Sequence, residues 1–423
     1  MKKIVLASGC LFSFTIFAAM PVNHPVGSSF TLSSAPNIRA LSTALGNPAA
    51  PFLMVNQEDN DSFRFGILGP LSVGVEMGDV SDLDDRAEEL EDLIDNSNAG
   101  NAATNKVRAD KILSEIGETA YVKTSASLQV PFMPLIYKTK KNGAFIIDAS
   151  ISGVARANVI SDEITNTGTE LTTDTSFQAK TATDLQIGLG YSQAMWKNDH
   201  GMLIGGVKAS LHDISMGRAL VSLNDKNDNA DDAISDALSD DAVSSTGVGI
   251  DLGAVWVSNN YQVGITFANI NEPEFDGAPI NQSCATESCA AAGRLVNKGK
   301  LTTTEDYVME MQTTIDAAVS TKGKQVTLGL SYDTNEVKDA VGDEYQWAAA
   351  SLSYYGDSHY LPGIRVGYRQ NMVGTELSYG TFGLTFLKRL NVDLGVALET
   401  VEDEDGDELP RSAYLSIGYD TAF

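Results

Sequence analysis

From Phe63 to the C-terminus, apolar and polar residues alternate with a period of two. That is the spacing of extended strands, whose successive side chains point to opposite faces. In Leu185-Gln186-Ile187-Gly188-Leu189-Gly190-Tyr191 one face carries Leu, Ile, Leu and Tyr, and the other Gln and two glycines. Val263-Gly264-Ile265-Thr266-Phe267, Val326-Thr327-Leu328-Gly329-Leu330 and Phe382-Gly383-Leu384-Thr385-Phe386 repeat the pattern. Val392 to Glu399 repeats it again, with Asp393 and Glu399 on the small, polar face. Predicted strands include Phe63 to Met77, Ser125 to Ile136, Ala144 to Val159, Phe177 to Trp196, Met202 to Leu211, Gly247 to Val257, Tyr261 to Ala268 and Met309 to Ser320. The count comes to about 14 or 15, and because a single-chain bacterial barrel normally has an even number, 14 is expected.

A soluble sandwich would use the same alternation with its apolar face inward. Two features point to a membrane instead. The polar face is mostly Gly, Ser, Thr, Ala and Gln, which suits a confined lumen. Aromatic residues gather near strand ends, at Tyr191 and Trp196, Trp256 and Tyr261, Trp347, Tyr354 and Tyr355, and Tyr414 and Tyr419, as interfacial girdles require. The expected fold is therefore all-β, a transmembrane antiparallel β-barrel. A row of inward charges would favour a polar pore, and the Gly/Ser/Thr row argues against one.

Three acidic stretches interrupt the strands. Between Asp79 and Asp95, Leu83, Ala87, Leu90 and Leu93/Ile94 recur at helical spacing, and Val107, Ile112, Leu113 and Ile116 form a second stripe. This predicts a helical hairpin inserted at about residues 79–116, acidic outside and packed on the barrel rim. Asn224 to Asp241 reads as a loop with a short helix over Asp231 to Val243, and Glu402 to Glu408 as a charged turn. Asp225, Asn227 and Asn229 alternate like calcium ligands, but Ala230 stands where such a loop needs Gly, and Asp236 replaces its closing Glu. A solvated charge run is the better reading, and no metal is expected.

At the start of the chain, Lys2 and Lys3 precede an apolar run from Ile4 to Phe17 and the small residues Ala18 and Ala19. About 14 apolar residues would span about 21 Å of a ~30 Å hydrocarbon core, so residues 1–20 read as a cleaved signal peptide rather than an anchor. Export leaves Cys284 and Cys289, which in an oxidising compartment are expected to pair as a local disulfide staple. With 29 Lys+Arg against 56 Asp+Glu, the net charge of −27 excludes nucleic acid as a partner.

Candidate chemistry is sparse. The chain has 4 histidines, at positions 24, 200, 212 and 359. His200 and His359 fall in expected turns, and His212-Asp213 at a strand end reads as a surface pair. Gly-x-Ser-x-Gly is missing, and the glycines lie in strand alternation rather than before a helix, which removes a phosphate cradle. Neither catalytic residues nor a cofactor are expected.

Two segments carry family resemblance. Arg39 to Pro51, with Asn47-Pro48-Ala49, resembles the leading segment of FadL-type fatty-acid channels, which implies a plug-like segment over residues 21–62 ahead of a barrel over 63–423. Gly69-Pro70-Leu71-Ser72-Val73-Gly74-Val75, Gly249 to Trp256, Val263 to Phe275 and Leu390 to Gly395 together resemble the outer-membrane barrel family of conjugal transfer proteins called TraF, distinct from the thioredoxin-like TraF. The last strand places Leu415, Ile417, Tyr419, Thr421 and Phe423 on one face, and Tyr419 with the terminal Phe423 looks like the assembly signal of such barrels. The resemblance implies an outer-membrane location, lipid and the barrel assembly machinery as partners, and conjugation or envelope components beyond them. A FadL-like channel for hydrophobic or small molecules is the alternative role.

Overall fold

A computed structural model of the chain describes residues 26–55, 62–80, 83–98, 100–139, 143–166, 171–224, 242–282, 286–356, 360–402 and 407–422. Residues 1–20, read above as a signal peptide, and His24, the calcium-like run, Cys284, His359 and Phe423 lie outside them.

The strands of the wall are β1 (Phe63–Met77), β2 (Tyr121–Gln129), β3 (Gly143–Ile160), β4 (Ser176–Asn198), β5 (Gly201–Ser222), β6 (Val243–Val257), β7 (Tyr261–Ala268), β8 (Gln312–Ser320), β9 (Val326–Asp333), β10 (Trp347–Tyr354), β11 (Gly363–Asn371), β12 (Ser378–Phe386), β13 (Leu390–Ala397) and β14 (Ser412–Ala422). Each pairs antiparallel with its neighbours in chain order, and β14 pairs back onto β1 from Arg64↔Ala422 to Glu76↔Ser412. The result is a closed antiparallel barrel of 14 strands. Closure matters because every strand N–H and C=O must be paired where no water can reach it. No helix among the described residues is long and apolar enough to cross a membrane.

The two ends differ. At one end the strands turn tightly, as at 199–200, 258–260 and 387–389; at the other, connections such as 78–120 and 269–311 are long. The start of β1 and the end of β14 lie at the short-turn end.

The expected strand Ser125 to Ile136 is divided. β2 stops at Gln129, and Leu135–Lys138 resumes on the far side, pairing with both β1 and β3. Pro131 and Pro134 have no N–H for a ladder, and Phe132 takes a positive φ of 70°. At the same level the β1–β14 register shifts between Gly66 and Leu71, so the wall has a local break.

β5 runs on to Ser222, well past the expected Leu211, because its apolar face changes sides. Val207 and Leu211 point outward and are exposed, whereas Ile214 and Met216 beyond them point inward and are buried. On β4, Leu185, Ile187, Leu189 and Trp196 mark the lipid-facing band, matching the roughly 9–11 residues a tilted membrane strand needs. Beyond that band the outside faces water and the apolar side chains turn in on loops.

The predicted helical hairpin forms as α1 (Leu83–Asp95) and α2 (Ala102–Thr119). Leu90, Ile112, Leu113 and Ile116 pack with Val159, Ile164 and Leu171, which seats the pair on the long-loop rim. A further helix, α3 (Glu287–Asn297), fills a stretch read only as a stapled loop. Thr286 caps it, accepting a hydrogen bond from the Cys289 N–H, and Ala291, Ala292 and Leu295 bury its other face.

Candidate functional site: the plugged lumen

Residues 26–55 run inside the barrel from the short-turn end, with three short helical turns at Gly27–Ser29, Leu41–Ala44 and Pro51–Met54. Their lower part is apolar. Leu41, Ala49, Ala50, Phe52 and Met54 pack against Ile136, Ile146, Ile204 and Val255 of the wall. Asn47 is fully buried there; its Oδ1 accepts from the Ala49 N–H at 2.9 Å and its Nδ2 donates to the Ile265 carbonyl at 3.3 Å. Pro48 lies on the backbone of Gly253, where an added Cβ would come within 2.8 Å of its Cδ. That inward glycine makes room for the plug.

The upper part is held by charge and rings. Arg365, with 0% of its surface exposed, donates from Nη2 to Asp393 Oδ1 at 2.8 Å and from Nη1 to Tyr355 at 3.1 Å. Ser28 and Thr31 of the plug donate to the same Asp393 carboxylate, at 2.8 and 2.5 Å. The Phe30 ring stacks on Tyr414 with centroids 4.0 Å apart and meets Tyr379 edge-on at 5.7 Å. The Arg369 guanidinium sits between Phe30 and Trp347, at 4.9 and 5.0 Å from the two ring centres, and donates to the Ser29 carbonyl at 3.3 Å. A cation between two aromatic faces is stabilised by both.

These contacts correct three expectations. Trp347, Tyr355 and Tyr414 are buried within the barrel rather than in a girdle, because Phe30 of the plug and the wall residues Arg369 and Arg365 give them partners inside. Trp196, exposed, and Trp256, half-buried, do pair at the short-turn end, 5.6 Å apart. The inward face is far more charged than its Gly/Ser/Thr composition suggested: Lys208 pairs with Asp148 at 2.6 Å and Arg64 with Asp420 at 3.3 Å. Asp316 is buried with neither carboxylate oxygen meeting a hydrogen-bond partner among the described residues. His212 is not on the surface; it points inward, its Nδ1 2.8 Å from Asp184 and its ring edge-on to Phe275, because even-numbered positions of β5 face the lumen. His200 occupies the exposed turn between β4 and β5.

Connections from the long-loop end also fold in. Phe275, Tyr307 and Met309 from residues 269–311, and Val341 from 334–346, bury against Val154, Ala182, Ile214 and Met216. Glu305 pairs with Lys180 and with Arg218, the latter at 2.8 Å. Burial pushes the Glu305 carboxyl up, but these cations and Thr302 bring it below its ordinary value. Among the described residues no three His, Cys, Asp or Glu side chains gather as a metal site. Tyr419 lies on the outward face of β14, and Cys289 is buried in the first turn of α3.

Arg365 and Arg369 had a legible signature, since each interrupts the outward apolar series Ile364, Val366 and Tyr368 on alternate positions. Phe30 lies at the other end of the chain and Asp393 and Trp347 on other strands, and no spacing announces them.

A closed antiparallel barrel with an apolar outer band, an internal N-terminal plug and inward-folded loops defines an outer-membrane-type barrel. The family described as "F plasmid transfer operon, TraF, protein" matches residues 44–333, and the chain belongs to it. No curated protein matches. Similar solved structures include the Ralstonia pickettii toluene transporter TbuX, with 11% identity over 95% of this chain and 99% of that one and a TM-score of 0.46. A deltaS2 mutant of the TodX monoaromatic hydrocarbon channel is 10% identical over 95% and 99%, with a TM-score of 0.49. A Pseudomonas aeruginosa FadL homologue is 10% identical over 97% and 99%, with a TM-score of 0.44.

Proposed function

We propose that the protein is an outer-membrane barrel that stands closed and serves, without catalysis of its own, as an envelope component in the plasmid-transfer setting for which its family is named. The observation that carries this reading is that the chain fills its own lumen from both ends. Residues 26–55 reach from the short-turn end, where Leu41 to Met54 pack on the wall, up to Phe30 beside Tyr414 and Arg369 at the long-loop ends of β14 and β11, and inward loops fill the mouth beyond. An open polar pore would leave inward charges to water; here Arg365, Asp393 and Lys208 are spent on internal partners. Lipid would meet the outer apolar band, the assembly machinery β14 with Tyr419 and the terminal residue Phe423 that follows it in sequence, and transfer or envelope components the long-loop face.

The test joins planar bilayers to mating. Wild-type protein is expected to give no conductance steps and deletion of residues 26–55 to give them, while cells lacking the protein transfer their plasmid less often until it is restored. Steps from the wild type, or undiminished transfer, would overturn the reading.

The wall break favours a second reading, a channel for small hydrophobic molecules. A cavity of about 20 Å³ lies behind it, lined in part by Gly27, Leu41, Leu68, Pro70 and Tyr419, where β1 leaves its ladder. Uptake of a labelled aromatic hydrocarbon by cells expressing the protein, above that of cells without it, would select this reading.

A further inference from the structure

We propose that the hairpin built on Val337–Lys338 and Glu344–Tyr345 is a releasable strap across the long-loop mouth of the barrel, latched to the opposite wall through Asp339 and Asp343. The hairpin belongs to the connection between β9 and β10. In a ring of 14 strands β2 and β9 are seven steps apart, the greatest separation possible, yet the hairpin tip meets β2 and β3. It therefore crosses the full width of the mouth.

The latch is compact. Asp339 Oδ2 lies 2.5 Å and Asp343 Oδ2 2.6 Å from Lys123 Nζ on β2, and Asp343 Oδ1 lies 2.6 Å from Arg156 Nη1 on β3. Lys123 also donates to Tyr345 Oη at 2.5 Å. Asp339 shapes the tip through its other oxygen, which accepts from the Val341 and Asp343 N–H groups at 3.0 and 2.8 Å, and Gly342 turns the chain at φ +92°. Val341 then enters the apolar cluster of Phe275, Tyr307, Ile214 and Met216. Glu76 on β1 and Lys180 on β4 add their fields, the first to Lys123 and the second to Asp343.

Besides the latch, Val341 packs in that cluster, Tyr345 packs with Phe30, Trp347 and Tyr379, and Asn371 Nδ2 donates to the Glu344 carbonyl at 2.9 Å; the ion cluster is what ties the strap to Lys123 and Arg156. The strap's own ladder is two residue pairs, Val337↔Tyr345 and Lys338↔Glu344, and an isolated hairpin so short is not stable in water. The other inward connection has its own anchor, Glu305 on Lys180 and Arg218, and meets the strap where the Lys338 N–H donates to Glu310 Oε2 at 2.8 Å and where Val341 packs on Phe275 and Tyr307. A buried ion pair holds firmly until one side is neutralised, and then leaves an uncompensated charge that favours opening. This inference concerns gating of the mouth and stands whichever function holds.

The experiment uses the full chain in outer-membrane vesicles, with Cys284 and Cys289 changed to Ser and Val341→Cys as the reporter for a membrane-impermeant maleimide. Labelling is expected to be slow in this parent and to accelerate at least about tenfold when Asp339→Asn and Asp343→Asn are added. The exposed Lys338–Glu344 pair, neutralised as Lys338→Gln/Glu344→Gln, is expected to leave the rate unchanged. Equal slow labelling in parent and Asn variant, with heat-modifiable migration intact in both, overturns the latch; fast labelling already in the parent overturns the closed strap. If the Asn variant does not assemble, Lys123→Gln removes the same pairs from the wall side and is expected to give the same acceleration, with an unchanged rate again overturning the latch.

Discussion

Asp393 carries more of this structure than any composition could suggest. It takes hydrogen bonds from Arg365 of the wall and from Ser28 and Thr31 of the plug, so one carboxylate joins β11, β13 and the N-terminal segment. Removing it leaves a fully buried guanidinium without its counter-charge, which costs about 3–5 kcal/mol. Asp393→Ala is therefore expected to unfold at clearly lower denaturant in detergent micelles, and a midpoint equal to wild type would contradict the shared anchor. The inward place of Asp393 was legible from alternation, because Val392 and Leu394 flank it on the outward face. That His212 would be buried was not: His-Asp at the end of a short expected strand reads as surface, and only the extension of β5 to Ser222 turns that position inward.

Among elements, the plug and α3 are each fastened by a few side chains. Phe30→Ala would remove the ring shared by Tyr414, Tyr379 and Arg369, a loss of about 3–5 kcal/mol for a buried Phe. Protection of Arg39, whose Nε is sealed from solvent, is expected to fall with it and to show as tryptic cleavage in intact barrels. Helix α3 is tied down by Lys298 and Lys300, whose ammonium groups lie 2.5 and 3.1 Å from Asp162. Burial alone would raise the Asp162 carboxyl, but hydrogen bonds from these lysines carry it below its ordinary value. A carboxyl lowered in the folded state stabilises docking above its unfolded pKa of about 3.9 and loses that contribution as the pH falls through the folded value. Amide exchange in α3 is expected to be slow at neutral pH and to quicken below about pH 4, whereas Asp162→Asn exchanges fast throughout. Acid-insensitive exchange would dissociate α3 from this pair. The helix had its own signature in Thr286 ahead of Glu287 and an Ala-rich run.

At the scale of the molecule, two environments share one wall. Leu185, Ile187, Val207 and Leu211 face outward within the lipid band, while Ile214 and Met216, a few residues further on, face a core built of loops. The barrel is expected to sediment with the outer membrane and to migrate differently on gels before and after boiling. Recovery in the soluble periplasm would remove the membrane reading altogether.

The alternation of side chains, with the even count of a single-chain barrel, was enough to determine that there are 14 strands and which face turns outward, because a strand in lipid must show its period wherever it touches hydrocarbon. The helical spacing over Leu83 to Ile116 likewise announced the rim hairpin. Tertiary structure alone decided what fills the barrel. Phe30 against Tyr414, Ser28 against Asp393 and Asp343 against Lys123 join residues hundreds of positions apart. Such pairs depend on how a closed ring brings distant strands across one lumen, and no periodicity along the chain encodes that distance.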